Sequence, residues 1–172
     1  MADGSIAGLW TRLLRGIGAR ALSLPRPAWA LVALLWAGLI WQLSSQAGKD
    51  EPGHFLWSWA GNLAHAPLFG LLALWLALAL PRTGGWARLA GRDLLFVLAL
   101  VLAWAVTDEW HQSWVPLRDA SMTDLATDLA GAAGTLDVAR AAGDPAVGEG
   151  GLRWRLLRAA LLCIGCALVA TL

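Results

Sequence analysis

Long apolar stretches, repeated along the chain with only short breaks, limit what this sequence can fold into more than any other feature. A helix needs about 20 mostly apolar residues to cross the hydrocarbon of a bilayer. Five stretches qualify as candidates: Ala28 to Ser44, Leu63 to Leu80, Leu94 to Thr107, Asp124 to Ala139, and Leu156 to Leu172. The first ends in Ser44-Ser45-Gln46, the second is closed by Pro81, and the third has room to run on through Asp108-Glu109-Trp110-His111. The fourth fails on hydropathy alone, because Asp124, Asp128 and Asp137 interrupt it. Its small residues nevertheless recur four apart, as Ala126, Ala130, Gly134 and as Thr127, Gly131, Thr135. That spacing lets helices approach closely in lipid. The expected fold is all-α, an integral membrane bundle of four to five transmembrane helices.

Composition agrees with a bilayer as the main partner. Hydrophobic residues make up 58% of the chain and charged residues 15%, against about 25% charged in soluble domains. There are 12 Trp and no Tyr, and Trp favours the membrane–water boundary. The net charge is +1 with no basic stripe among aromatics, so nucleic acid is not an expected partner. Cys163 and Cys166 form a C-x-x-C inside an apolar run. With no second ligand pair nearby, they read as small packing residues rather than a zinc or redox site. The basic N-terminus and the apolar run after it are too long for a secretory signal, and are expected to stay as an uncleaved first helix.

Three regions are expected: a basic N-terminal segment over 1–27, a four-helix membrane domain over 28–139, and a flexible loop with a fifth helix over 140–172. Lys49 to Gly61, with Pro52, Gly53 and His54, reads as an exposed loop that includes a short interfacial piece carrying Phe55, Trp57 and Trp59. Arg82 to Arg92 reads as a basic turn, and Arg140 to Gly151, rich in Gly and Ala, as flexible.

The basic residues set an orientation. Eleven fall on one side of the expected spans: Arg12, Arg15, Arg20 and Arg26; Arg82, Arg88 and Arg92; Arg140, Arg153, Arg155 and Arg158. Only Lys49 and Arg118 fall on the other. The positive-inside rule then puts the N-terminus in the cytoplasm of a multi-pass inner (plasma) membrane protein. It also gathers Ser44, Ser45, Gln46, His65, Asp108, Glu109, His111, Gln112, Arg118, Asp124 and Asp128 at the extracytoplasmic ends of four helices. Ionisable groups at membrane depth are costly, and by default they raise a functional hypothesis.

On a helix, Asp108, His111 and Gln112 share a face, with Glu109 about a quarter-turn away and within reach of Gln112. A carboxylate beside an imidazole can orient a general base or a metal ligand, or these groups can simply mark a helix leaving the bilayer. Asp124 and Asp128 are like charges one turn apart, which destabilises a lone helix. Arg118 could bridge one of them, or a divalent metal could join them. His65 stands alone in an apolar run, as a packing residue or as a second histidine of the site. Ser44, Ser45 and Gln46 either cap the first helix or supply neutral hydrogen bonds.

The stretch D-E-W-H-Q-S-W-V-P-L-R-D-A-S-M-T-D-L-A-T-D-L-A-G-A-A-G, from Asp108 to Gly134, resembles the signature of the VanZ-like family. The S-S-Q at Ser44 to Gln46 and the histidine at His65 resemble its earlier motifs. The resemblance implies a small multi-helix membrane protein; the family's namesake is associated with resistance to the glycopeptide teicoplanin. It marks Ser45, Gln46, His65, Asp108, Glu109, His111, Gln112, Arg118 and Asp124. The chain departs from the pattern at Asn62, where Lys is common, at Leu117, where Gly is common, and at Asp128, where Asn is frequent. The candidate catalytic residues are Asp108, Glu109, His111 and Asp124. Ser45, Gln46, His65, Gln112, Arg118 and Asp128 are the candidate binding residues. No particular metal or cofactor follows from the sequence. Three readings stay open: a site that binds or modifies a lipid-linked or peptidoglycan-related envelope molecule, a metal-assisted membrane enzyme, or a structural network that fixes helix packing.

Overall fold

Lipid offers no hydrogen bonds to the backbone, so a chain this apolar must satisfy its peptide groups within helices. The computed structural model, which describes residues 8–47, 55–83, 85–118 and 121–172, does so with six: α1 (Leu9–Ala21), α2 (Arg26–Ser44), α3 (Phe55–Ala79), α4 (Arg92–Gln112), α5 (Asp124–Gly143) and α6 (Glu149–Thr171). A two-residue antiparallel hairpin, β1 (Arg82–Thr83) and β2 (Trp86–Ala87), joins α3 to α4. Four helices, α2, α3, α4 and α6, are long and apolar enough to cross a membrane, and the chain is a multi-pass membrane protein. Their exposed Leu34, Leu35, Leu95, Leu161 and Val169 are where a lipid-facing surface would be.

α5 lacks the hydropathy of a span, yet it lies at the centre, packed chiefly against α3 and α6 and also against α4 and α1. Its 20 residues reach about 30 Å, as far as the hydrocarbon is thick. Small residues explain its place. A Cβ added at Gly131 would run into the Ala66 carbonyl of α3, and one at Gly134 would sit 2.7 Å from the Ala159 Cβ of α6. The core follows from that contact: Phe69, Leu72 and Ala73 of α3 close on Val97, Val101 and Ala105 of α4 and on Ala132 and Leu136 of α5.

The basic N-terminal segment carries a helix that the sequence reading did not assign: α1 is amphipathic, and its Thr11 hydroxyl donates to the Glu149 carboxylate over 2.7 Å. Two expectations need correcting. Phe55 to Gly61 is the first part of α3, not a loop with an interfacial piece, because nothing from Phe55 onward breaks a helix before Pro67. The stretch from Arg140 is not a flexible loop to Gly151, since α5 runs to Gly143 and α6 begins at Glu149. The short turn between them is fixed by Arg15, which donates to the carbonyls of Ala142, Asp144 and Val147. The expected loop residues Lys49 and His54 lie outside the described residues.

Arginines cluster at one end of the bundle, where they satisfy carbonyls left open at helix C-termini. Arg26 donates to the Ala79 carbonyl that ends α3, and Arg82 donates to Leu22 and Leu24 after α1. Arg88 pairs bidentately with Asp93 at 2.7 and 2.8 Å, tying the hairpin to the first turn of α4.

The α3–α5 contact makes a direct prediction. Gly131→Ala should lower thermal stability in detergent by ~2 kcal/mol or more, since a backbone carbonyl cannot yield to the new methyl as a side chain could. Gly38→Ala, where a Cβ meets open space, should be neutral or stabilising by up to ~1 kcal/mol. Equal melting temperatures for the two variants would show that α3 and α5 are not in this contact.

Candidate functional site

The end of the bundle opposite the arginines collects the acids. α2 finishes there at Ser44, α4 finishes at Gln112, and α5 begins at Asp124. His65 lies ten residues into α3, about 15 Å along its axis from the start, and meets α5 at its first turns. Four carboxylates, Asp108, Glu109, Asp124 and Asp128, are buried in this region, at 1%, 6%, 6% and 1% exposure.

Two sets of contacts organise them. In the first, Ser44 Oγ donates to Asp108 Oδ2 over 2.8 Å, and Gln112 Nε2 donates to the same oxygen over 2.8 Å. Asp108 and Gln112 are one turn apart on α4, so this set pins the end of α2 to the end of α4. In the second, His65 Nδ1 is 3.0 Å from Asp128 Oδ1, and the imidazole lies parallel to the Phe69 ring one turn on. Glu109 Oε2 accepts the Ser121 backbone N–H over 2.7 Å. One donor atom each from His65, Glu109 and Asp128 falls within 4.8 Å of the other two, so α3, α4 and α5 each contribute to one point.

What is unpaired matters as much. Among the described residues, Asp108 Oδ1, Glu109 Oε1, Asp124 Oδ1 and Asp128 Oδ2 are buried without a hydrogen-bond partner. No Lys or Arg forms an ion pair with any of the four within the described residues. Buried polar groups are ordinarily satisfied, so four carboxylate oxygens without a partner at one end of the bundle stand out.

Several sequence expectations change in detail. Asp108 does not orient His111; it is occupied by Ser44 and Gln112. The His111 ring stacks instead on Trp41, with centroids 3.8 Å apart, and its Nε2 is 3.5 Å from Ser45 Oγ. The reason is rotational: α4 turns Asp108 and Gln112 inward and leaves His111 toward α2, where Trp41 offers a flat face. Glu109 reaches the α4–α5 loop rather than Gln112. Arg118 bridges neither Asp124 nor Asp128, because its guanidinium donates to the Gln46 and Leu43 carbonyls at the end of α2. The Gln46 side chain turns back to its own helix at Gln42. Asn62 donates to Thr171 Oγ1 over 3.0 Å and ties α3 to the end of α6. Cys163 and Cys166 are free thiols, half-buried on α6.

Ser44 and Thr127 are the residues that sequence reasoning undervalued. Ser44 was one of three polar groups at a helix end, with no signal to set it above Ser45; contact with Asp108 singles it out. Thr127 is fully buried between the two α5 aspartates, and in the sequence it read only as a small packing residue. A separate apolar cavity of about 330 Å³, lined by Leu14, Leu74, Trp86 and Val138 among others, lies at the arginine end and has no ionisable side chain.

The VanZ/LLP1 family model matches residues 27–136, a span that takes in α2 through most of α5 and every residue of the cluster. No curated protein and no solved structure matches the chain. The chain belongs to the VanZ/LLP1 family.

The loop before Arg118 carries a strain that can be measured. Leu117 has φ +60°, the sole positive value for a non-glycine among the described residues, and left-handed backbone costs an L-residue ~1–2 kcal/mol. Leu117 is also 64% exposed, so little packing offsets that cost. Leu117→Gly should raise stability by ~1 kcal/mol, read as an upward shift of the melting temperature in detergent. A fall in stability would mean the loop does not adopt this conformation.

Proposed function

We propose that this VanZ/LLP1-family membrane protein presents its acid cluster at the extracytoplasmic face of the inner (plasma) membrane, where it binds or modifies a cell-envelope molecule of lipid-linked or peptidoglycan-related type. The orientation follows from the arginines, which gather at the opposite end of the bundle and favour the cytoplasm. The ligand class follows from position: a site flanked by lipid-facing helices at one membrane surface is reached most directly by molecules anchored in that leaflet.

The observation that carries the reading is the set of four buried carboxylates with open acceptors. A purely structural network would be expected to satisfy its own members, since a half-satisfied one costs stability. Ser44, Asp108 and Gln112 do fit a structural role, for they join α2 to α4 through shared hydrogen bonds. Asp124 does not: its side chain accepts no hydrogen bond within the described residues although it is 6% exposed. The site thus divides into a packing half around Asp108 and an open half around His65, Glu109, Asp124 and Asp128.

Asp124→Asn tests the division, because it removes a charge and no side-chain hydrogen bond among the described residues. Wild type and variant would be purified in mild detergent and their co-purified lipids compared by mass spectrometry. Wild type should carry one headgroup-bearing envelope lipid above bulk membrane composition. The variant should melt at the wild-type temperature and lose about tenfold of that enrichment, the effect of one contact worth roughly 1.4 kcal/mol. Identical lipid content in the two proteins, or unfolding of the variant, would contradict the binding reading.

A further inference from the structure

We infer that His65, Glu109 and Asp128 form a three-ligand centre for a divalent transition-metal ion of the Zn²⁺ and Mn²⁺ class. The inference rests on reading this cluster as a ligand site, and it names one ligand of that site. Three observations converge on it.

The first is geometric. The three donor atoms come from three different helices and lie within 4.8 Å of one another. The His65 Nδ1 to Asp128 Oδ1 separation is 3.0 Å. Two ligand atoms each ~2.1 Å from one ion are about 3.0 Å apart at an octahedral right angle and about 3.4 Å apart at the tetrahedral angle, so this edge lies close to adjacent positions in a coordination shell and nearer the octahedral spacing.

The second is the unpartnered oxygen. Glu109 Oε1 and Asp128 Oδ2 are buried with no hydrogen bond among the described residues, on side chains that are at least nine-tenths buried. Asp124, one turn before Asp128, adds a third buried oxygen without a partner. The nearest arginine in the loop, Arg118, is committed to backbone carbonyls of α2. A divalent cation supplies the missing positive charge at the point where the acids face one another.

The third is the way the ligands are held. A metal centre needs its ligands oriented by other groups. Glu109 Oε2 is fixed by the Ser121 N–H, which leaves Oε1 free for an ion. The His65 ring is held parallel to Phe69. One imidazole nitrogen with two carboxylates suits Zn²⁺, Mn²⁺ or Fe²⁺ better than Ca²⁺ or Mg²⁺, which prefer all-oxygen shells. Three protein ligands leave coordination positions open, the pattern of centres that bind water or substrate. His111, the histidine that the DEWHQ motif puts forward, is turned away to Trp41 and takes no part.

The test uses the full chain in detergent, stripped with chelator and titrated separately with Zn²⁺, Mn²⁺, Mg²⁺ and Ca²⁺, with elemental analysis of the protein as purified. One equivalent of Zn²⁺ or Mn²⁺ is expected to bind saturably and to raise the melting temperature, with Mg²⁺ and Ca²⁺ much weaker. Glu109→Gln and Asp128→Asn should weaken that binding by at least ~100-fold, while His111→Ala keeps the wild-type affinity. If either acid variant fails to fold, Co²⁺ titration of the wild type decides through its visible spectrum, since imidazole and carboxylate ligation produces bands that free Co²⁺ in the same buffer lacks. Absence of saturable binding, or equal loss in His111→Ala, overturns the proposal. Lipid enrichment that survives complete metal removal overturns the ion as part of that site and spares the lipid reading. A stoichiometric ion with no enriched lipid does the reverse.

Discussion

The approach of two backbones governs this molecule. Gly131 of α5 lies against the peptide group of Ala66 in α3, closer than any side chain would permit. His65 precedes that contact by one residue on α3, and Asp128 precedes it by three on α5. The juxtaposition of imidazole and carboxylate is therefore a consequence of the helix crossing. Because α5 is too polar to face lipid along its length, it is surrounded by α3, α4, α6 and α1. Asp124 and Asp128 are thereby removed from both lipid and water.

Charge is sorted along the bundle axis to match. Guanidinium groups at one end close the carbonyls of α1, α3 and α5, which uses them as caps while keeping them near the interface. Carboxylates at the other end sit on α4 and α5 with Arg118 as the nearby arginine, and that arginine caps α2. The two ends thus differ in what they can do. The arginine end commits its guanidinium groups to carbonyls and leaves one buried donor, Arg82 Nε, without a partner among the described residues, whereas the acid end keeps four acceptors open.

Much of this was legible in the sequence because lipid simplifies the code. Apolar runs mark α2, α3, α4 and α6 with little ambiguity, and the small residues of α5 announce a helix that must pack closely. The list of polar residues at one end also follows from chain geometry, since successive spans alternate direction. The partners were not legible. Helical periodicity shows that Asp108, His111 and Gln112 share a face, but which of them meets Ser44 depends on how α4 rotates against α2. His65 read as a lone histidine because Asp128 lies 63 residues away in sequence. α1 was hidden by its arginines, which outweigh Leu9, Leu13 and Ile17 in any average over the segment although Arg12 and Arg15 lie away from that face of the helix.

The assembly of the acid end depends on whether His65 and Asp128 meet inside the bundle. A double-mutant cycle with His65→Gln and Asp128→Asn, followed by reversible unfolding of the chelator-stripped protein in mild detergent, measures that pairing directly. For a buried charge-assisted hydrogen bond the cycle should return a coupling of roughly 1.5–3 kcal/mol, with the two single losses clearly not additive. Additive losses would mean the two side chains do not touch, and the α3–α5 crossing that assembles the acid end would be wrong.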